Sequence, residues 1–488
     1  MVLSKDISGA KGVLYGGSAL FFLSIIVYTL TNQYLVLAVP FVAAVLGISI
    51  LNLKSFYWFF LLTIPLSFTI YFLNGSLSTT VPDEPLAWLL LLITITLAVY
   101  NRKLFPGWFF REPITLVITL QLVWMIVAVV FSKELFPSLK FAAARFWFIN
   151  AYFLFPVLIF RKARDFRKAF LVLVIPVTLH AIFAFCWHYK EHFNYWQSNI
   201  VVHPFYFNHV DYSTVLSMLF PLIFIAWRLC KGKPVLRWLL GLTLIFYIPA
   251  IYAAAARAAI LAVFFAFFIG FMIHKRLVNW VMPIAYALIL AGVLFLAQNN
   301  YYIKLQPNKK YTATQPTFMD AVTGMFTGRD MSSMERFYRW IAAVRMSNDN
   351  PVTGVGPNNF YDYYKPYTVS MFATWVSRNP ERSTTHNYFL YMLVEQGYPA
   401  MILYGILIFL TFAQAQKTYH NTDDNFYRQA VLGTAMLLAA GFVNNFFSEL
   451  IETHKVGALF YLGIAALVIM KHLSQEKKFQ MTSEAPGK

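Results

Sequence analysis

Long apolar runs recur from one end of the chain to the other, separated by short polar or basic segments. Each run approaches the roughly 17–25 residues that a helix needs to cross a bilayer. The pattern predicts about fourteen spans (twelve to fourteen). They are centred on residues 13–30, 34–51, 55–73, 85–100, 114–132, 144–160, 169–187, 213–229, 238–254, 258–274, 279–297, 398–416, 428–446 and 456–471. The expected fold is all-α, a polytopic transmembrane helix bundle. The first run lacks a small-residue cleavage site and reads as a retained span. Between the eleventh and twelfth runs lies 298–386, a segment too long for a plain connector. Within it, "MSSMERFYRWIAAVRMS" carries Met334, Phe337, Ile341 and Val344 on one helical face, with Trp340 beside them. Such a helix is expected to lie along a membrane–water boundary. "NDNPVTGVGPNN" then forces turns.

Composition supports a membrane chain: 59% of its 488 residues are hydrophobic and only 12% charged. The net charge of +18 would suit nucleic acid, but the basic residues sit in short connectors. "NRKLFPGWFFREP", "RKARDFRK", "RLCKGKPVLR", "HKR" and "KHLSQEKK" fall on one side of the alternating count, whereas "NGSLSTTVPDE" on the other has no Lys or Arg. That is the positive-inside pattern, which reports orientation. Membrane lipids are expected as partners and nucleic acid is not. Both termini are expected in the cytoplasm, with the aromatic segment 188–212 and the long segment 298–386 on the outer side. The domains follow: helices over 1–204, helices with an outer-turn arginine over 205–297, an outer loop over 298–386, C-terminal helices over 387–472, and a cytoplasmic tail over 473–488. Cys186 and Cys230 sit at opposite ends of different spans, which argues against a disulfide.

With so few charges near the spans, each exception asks for a reason, because an ionisable group at membrane depth costs roughly 2.5–3.5 kcal/mol. Arg257 in "YAAAARAAILA" is surrounded by small residues. It is either an interfacial arginine snorkelling to headgroups or a fork that grips phosphate oxygens two at a time. Arg336 and Arg339 lie three apart on one helix face, either solvated or turned to the same anion. His386 follows Thr384 and Thr385, either of which can cap the next helix. The first turn would then keep the imidazole neutral, as a general base requires. Glu395 lies nine residues on, about 900° of rotation away, so it is not expected to orient His386. Holding an arginine or the following loop, ahead of a break at Gly397–Tyr398–Pro399, is its expected task. His188, His192, Glu191, His203, His209 and Asp211 form a weak ligand-like pattern better read as interfacial packing. No D-x-D, P-loop, G-x-S-x-G or H-E-x-x-H is present. No metal or cofactor is expected, so arginines must neutralise any phosphate handled here.

The stretch "THNYFLYMLVEQGYP" resembles the His-Asn…Glu-x-Gly element of the O-antigen ligase and O-antigen polymerase superfamily of bacterial inner-membrane proteins. Arg257 at an outer turn, Arg336 to Trp340 as R-x-x-x-W, and "NPVTGVGPNNF" follow the family's order over about 205–470. Ala256 and Ala258 stand where the family often has Ser and Gly. The resemblance implies glycan transfer from undecaprenyl diphosphate to lipid A–core, to a growing polysaccharide, or to a protein hydroxyl, at the periplasmic face. It assigns the diphosphate to Arg257 and Arg336, with Arg339 or Arg329 as alternatives to the latter. His386 would activate the acceptor hydroxyl, with Asn387 and Glu395 in support. Direct displacement would be metal-independent and inverting. A transporter of lipid-linked glycans is the rival reading, but it should show two pseudo-symmetric halves with charges at mid-membrane.

Overall fold

The computed structural model describes residues 7–33, 36, 38–72, 77–101, 103–307, 311–313, 320, 323–324, 327–374, 376–378 and 384–483. Parts of the second run (34, 35 and 37), of the polar hairpin (74–76), of the segment 298–386 including Ser383, and of the tail (484–488) lie outside them. The chain divides into two compact units, residues 1–63 and 64–488. The first holds α1 (Ile7–Thr31), α2 (Val39–Leu51) and most of α3 (Leu53–Leu66). Asn52 separates α2 from α3, and its side chain accepts the Ser55 N–H at 3.0 Å.

In the second unit the run expected over 55–73 stops early, because Pro65 lies in the last turn of α3. Beyond it, β1 (Phe68–Phe72) pairs antiparallel with β2 (Leu77–Val81), placing Phe68 opposite Val81. The helices that follow are α4 (Asp83–Tyr100), α5 (Pro113–Val130), α6 (Leu135–Ile149, prolonged through a π turn at Asn150–Leu154), α7 (Ala163–Lys190), α8 (His209–Leu229), α9 (Pro234–Ala253), α10 (Arg257–His274) and α11 (Val278–Ala297). After the long segment, with its own helix α12 (Met331–Asp349), come α13 (Tyr388–Asn421), α14 (Asn425–Phe447) and α15 (His454–Ser483). Eleven helices among the described residues are long and apolar enough to cross a membrane, and three apolar helices are shorter. The expected all-α bundle is what forms. Helix α15 runs on into the stretch expected as a tail.

The core centres on α14, which is buried along almost its whole length. Its small residues explain why. A Cβ on Gly433 would meet Ile225 of α8 at 3.1 Å, and one on Gly441 would meet Met218 at the same distance. Across the other face, Gly270 of α10 lies against Met436. Small side chains let helix backbones approach, the usual device where water supplies no driving force between helices.

Helix α13 breaks where the sequence predicts. Gly397 adopts φ 79°, ψ 179°, a conformation essentially reserved for glycine. The residues Pro351–Phe360 fill the break as a strap. Val355 and Gly356 donate to the carbonyls of Val394 and Glu395 at 3.0 and 2.9 Å, and Tyr398 donates to Pro351 at 2.9 Å. Trp124 of α5 caps the Gln396 carbonyl at 2.8 Å. The carbonyls that the break exposes are thus satisfied, as a buried helix end requires. Glu395, fully buried, accepts the N–H groups of Asn358 at 2.6 Å and Phe360 at 3.2 Å. It holds a loop, as expected, but the one that precedes it in the chain rather than the one that follows.

Candidate functional site

The site assembles where α10, α13 and α15 begin and α14 ends. Asn387 caps α13: its side-chain oxygen accepts the Leu390 N–H at 3.1 Å, and its amide donates to the Phe446 carbonyl at 3.0 Å. Thr385 accepts the Asn387 N–H and returns its hydroxyl to the Asn387 carbonyl. His386 lies between these anchors at φ 52°, in the left-handed region that few non-glycine residues occupy. The cap expected at Thr384 or Thr385 therefore falls at Asn387, whose side-chain oxygen reaches the third helical N–H. His386 precedes the helix instead of sitting in its first turn, so the argument from the helix dipole loses its basis. Burial keeps the imidazole neutral instead and, with Arg336 and Arg339 adding repulsion, pushes it down to about 3.

Glu449, which follows α14, faces the ring. Its Oε1 lies 4.0 Å from His386 Nδ1, and the His386 backbone N–H donates to the same carboxyl group. Burial raises Glu449 to about 8, against the pull of Arg339, the His386 N–H and Arg336. The neutral-pH arrangement is thus an uncharged imidazole beside a protonated carboxyl, two groups whose environments drive their acidities apart, as at acid–base sites. Because Glu449 holds its proton more tightly when folded, stability falls as pH rises from its ordinary 4.5 to about 8. Glu449→Gln is therefore expected to melt above the wild type near pH 8.5 and no higher near pH 4, in detergent-solubilised protein followed by intrinsic fluorescence. An offset independent of pH would remove this reading of the carboxyl.

Arg257 enters from α10. Ala255 takes φ 54° and Ala256 is extended, so the chain turns sharply and Arg257 Nη1 reaches Asp330 Oδ1 at 3.1 Å. The other Asp330 oxygen caps α12 by accepting the Ser333 N–H at 2.9 Å and its hydroxyl at 2.7 Å. One carboxylate thereby joins α10 to α12. Arg336 Nε donates to the Phe447 carbonyl at 3.1 Å, and its Nη1 to the Ser332 hydroxyl at 2.6 Å. Arg339, buried, donates to the Thr384 carbonyl at 3.3 Å and lies 3.8 Å from Glu335. Burial pulls Arg336 below its ordinary value; Asp330 and Glu449 oppose this, and repulsion from Arg257 and Arg339 adds to it. Arg257 and Arg339 thus each face a carboxylate, Asp330 and Glu335, while Arg336 bonds carbonyl and hydroxyl oxygens.

The inward side of α12 is broader than the apolar face expected to be covered. Met334 of that face is buried and Phe337 and Ile341 are half-buried, but Met331, Glu335, Arg339, Ala342 and Met346 are buried as well, whereas Val344 is exposed. Tertiary contacts to Thr384, Thr374 and Ser377 draw the polar side in. The guanidinium of Arg329 lies over the Tyr311 ring, 5.6 Å from its centroid, while Arg336 and Arg339 both act on His386. In the histidine-rich segment the rings close loops: His188 Nε2 is 3.1 Å from the Asn194 carbonyl, and His209 Nδ1 is 2.6 Å from Asn199.

Sequence reading missed Asp330 and Glu449. A signal existed for the second: "SELIETHK" packs Glu449, Glu452, His454 and Lys455 between two apolar runs. Each finds a partner on another element. Glu452 pairs with Arg145 of α6 and accepts the Tyr388 hydroxyl at 2.7 Å, His454 lies 3.3 Å from Asp83, and Lys455 donates to the Ser67 carbonyl at 2.9 Å. This loop is pinned on three sides, which fixes Glu449 opposite His386.

No curated protein matches the chain. Residues 242–405 match the family model described as O-Antigen ligase, a stretch that includes Arg257, the α12 arginines, the strap, His386 and Glu395. Over that stretch, which carries most of the site, the chain is similar to the O-antigen ligase family.

Proposed function

We propose that the protein transfers a glycan from undecaprenyl diphosphate to an acceptor hydroxyl at the periplasmic face of the bacterial inner membrane, with lipid A–core as acceptor. The observation that carries this reading is the gathering of Arg257, Arg336 and Arg339 beside a neutral His386, with Arg336 bonded to carbonyl and hydroxyl oxygens rather than to a carboxylate. A diphosphate adds negative charge where three guanidinium groups meet. Each charge-assisted bond contributes roughly 1.5–3 kcal/mol, and the bonds strengthen as charge develops on the departing phosphate. The prenyl tail, held among the spans, keeps the anomeric carbon beside the site and makes the encounter a positioned one.

The acceptor oxygen attacks the anomeric carbon as the bond to the diphosphate breaks. Its proton passes to the His386 nitrogen remote from Glu449, and the configuration inverts. With a pKa of about 3 the empty site holds a weak base. A diphosphate on Arg336 and Arg339 offsets their repulsion, so the imidazole becomes more basic once donor is bound. Three guanidinium groups do the neutralising that a divalent ion does in metal-dependent transferases.

Arg257→Lys is expected to lower turnover about 10- to 100-fold, since a point charge cannot reproduce a two-pronged grip. Near-normal turnover would leave Arg257 as no more than the tether to Asp330. The decisive experiment supplies purified protein with lipid-linked glycan and separate acceptors, and weighs the products. Glycan on lipid A–core supports the ligase reading. Lengthened lipid-linked glycan would make the protein a polymerase, a glycosylated polypeptide would make it a protein oligosaccharyltransferase, and donor moved across a vesicle unchanged would make it a transporter.

A further inference from the structure

A second feature lies at the opposite end of the bundle, where α8 ends and α14 begins. A cavity of about 630 Å³ opens between α7, α8, α9, α14 and α15, within the roughly 300–1,000 Å³ of ligand pockets. Along α8 and the Cys230 that follows it the lining runs back to Leu219, and on α15 from Met470 to Leu459. Eleven helical steps make about 16 Å, or half of a hydrocarbon core of about 30 Å. The cavity is one leaflet deep. Its walls are apolar, with Leu222, Ile225, Leu437 and Leu462 among them, and Ala226, Ala430 and Ala466 keep it open. Charge appears at the mouth alone: Arg167 at the start of α7, over the Phe426 ring at 4.7 Å, and the exposed Lys233 at the start of α9.

We propose that this cavity binds an acyl chain of an anionic phospholipid whose phosphate is held by Arg167 and Lys233. The chemistry of each part selects that occupant. A largely apolar slot of one leaflet's depth takes a hydrocarbon tail, and two cations at its rim take a negatively charged headgroup. Both basic residues belong to the connectors "RKARDFRK" and "RLCKGKPVLR", which the charge pattern assigns to the cytoplasmic leaflet, rich in such lipids. The proposal does not depend on the reaction assigned to His386, which lies at the other end.

The test uses full-length protein in zwitterionic detergent, titrated with phosphatidylglycerol or phosphatidylcholine and followed by native mass spectrometry and thermal unfolding. Phosphatidylglycerol is expected to bind and to raise the melting temperature, with phosphatidylcholine far weaker. The double variant Arg167→Gln/Lys233→Gln, on the surface, should weaken phosphatidylglycerol about thirty-fold, the loss expected for two basic residues at a headgroup. Ala466→Phe, which fills the slot, should abolish binding. Equal affinity for both lipids, full affinity in the charge variant, or displacement of phosphatidylglycerol by undecaprenyl phosphate at equimolar amounts would each overturn the proposal. Should Ala466→Phe not fold, the charge variant decides alone.

Discussion

His386→Ala is expected to lower glycan transfer by about 10²- to 10⁴-fold, the range for a positioned general base, while the protein still folds and inserts. Folding survives because Asn387 caps α13 and Thr385 holds Asn387 in place, neither of them needing the imidazole. Two further readouts separate a base from a group that merely fills space. His386→Asn, which tolerates the left-handed backbone, should be as inactive as the alanine variant. The pH profiles should also diverge. The acid limb of kcat/KM, which reports the empty site, should lie near the low value of about 3. The limb of kcat should lie higher, because bound diphosphate offsets Arg336 and Arg339. Coincident limbs would mean that the arginines do not meet the donor phosphates, and full turnover in His386→Ala would remove the base itself.

The second large effect is on folding. Gly397→Ala is expected to destabilise the protein by at least about 3 kcal/mol, the upper range for one strained backbone site. Its φ of 79° disfavours any Cβ, and the atom would stand 1.9 Å from the Val352 carbonyl oxygen. The opposing Gly354, at φ 66°, would bring its own Cβ to 2.3 Å from the Glu395 carbonyl carbon. The two backbones touch because neither residue has a side chain, so the strap can enter the break of α13. A melting temperature within a degree or two of wild type would show that the strap can lift away. If it does lift, His386 transfer should fall as well, because Glu395 and the strap fix the first half of α13.

These two predictions draw on different layers of information. The Gly-Tyr-Pro break was legible because glycine and proline punctuate a helix locally. So were the spans in the main, although α6 begins nine residues before its run, α13 begins ten before, and α15 runs twelve past. The run at 55–73 failed where Pro65 ended α3 and a hairpin took over. Aromatic and β-branched residues in a short apolar run read equally well as helix or strand. Among site residues, Arg257, Arg336, Arg339 and His386 stood out because charge near hydrocarbon is costly and therefore conspicuous. The structure brings them together through Asp330 and Glu449.

What the chain determined by itself is everything written in nearest-neighbour terms: which segments are apolar enough to span, where helices break, and which few side chains carry charge at their ends. What only the folded arrangement decided is who faces whom. Asp330 meets Arg257 from 73 residues away, and Glu449 meets His386 from a loop between two later helices. The buried stripe of α12 includes Glu335 and Arg339, although hydropathy alone would have turned those two residues outward. The physical reason is that burial and charge act through space, so the acidity of His386 belongs to the groups packed around it, which no local pattern records.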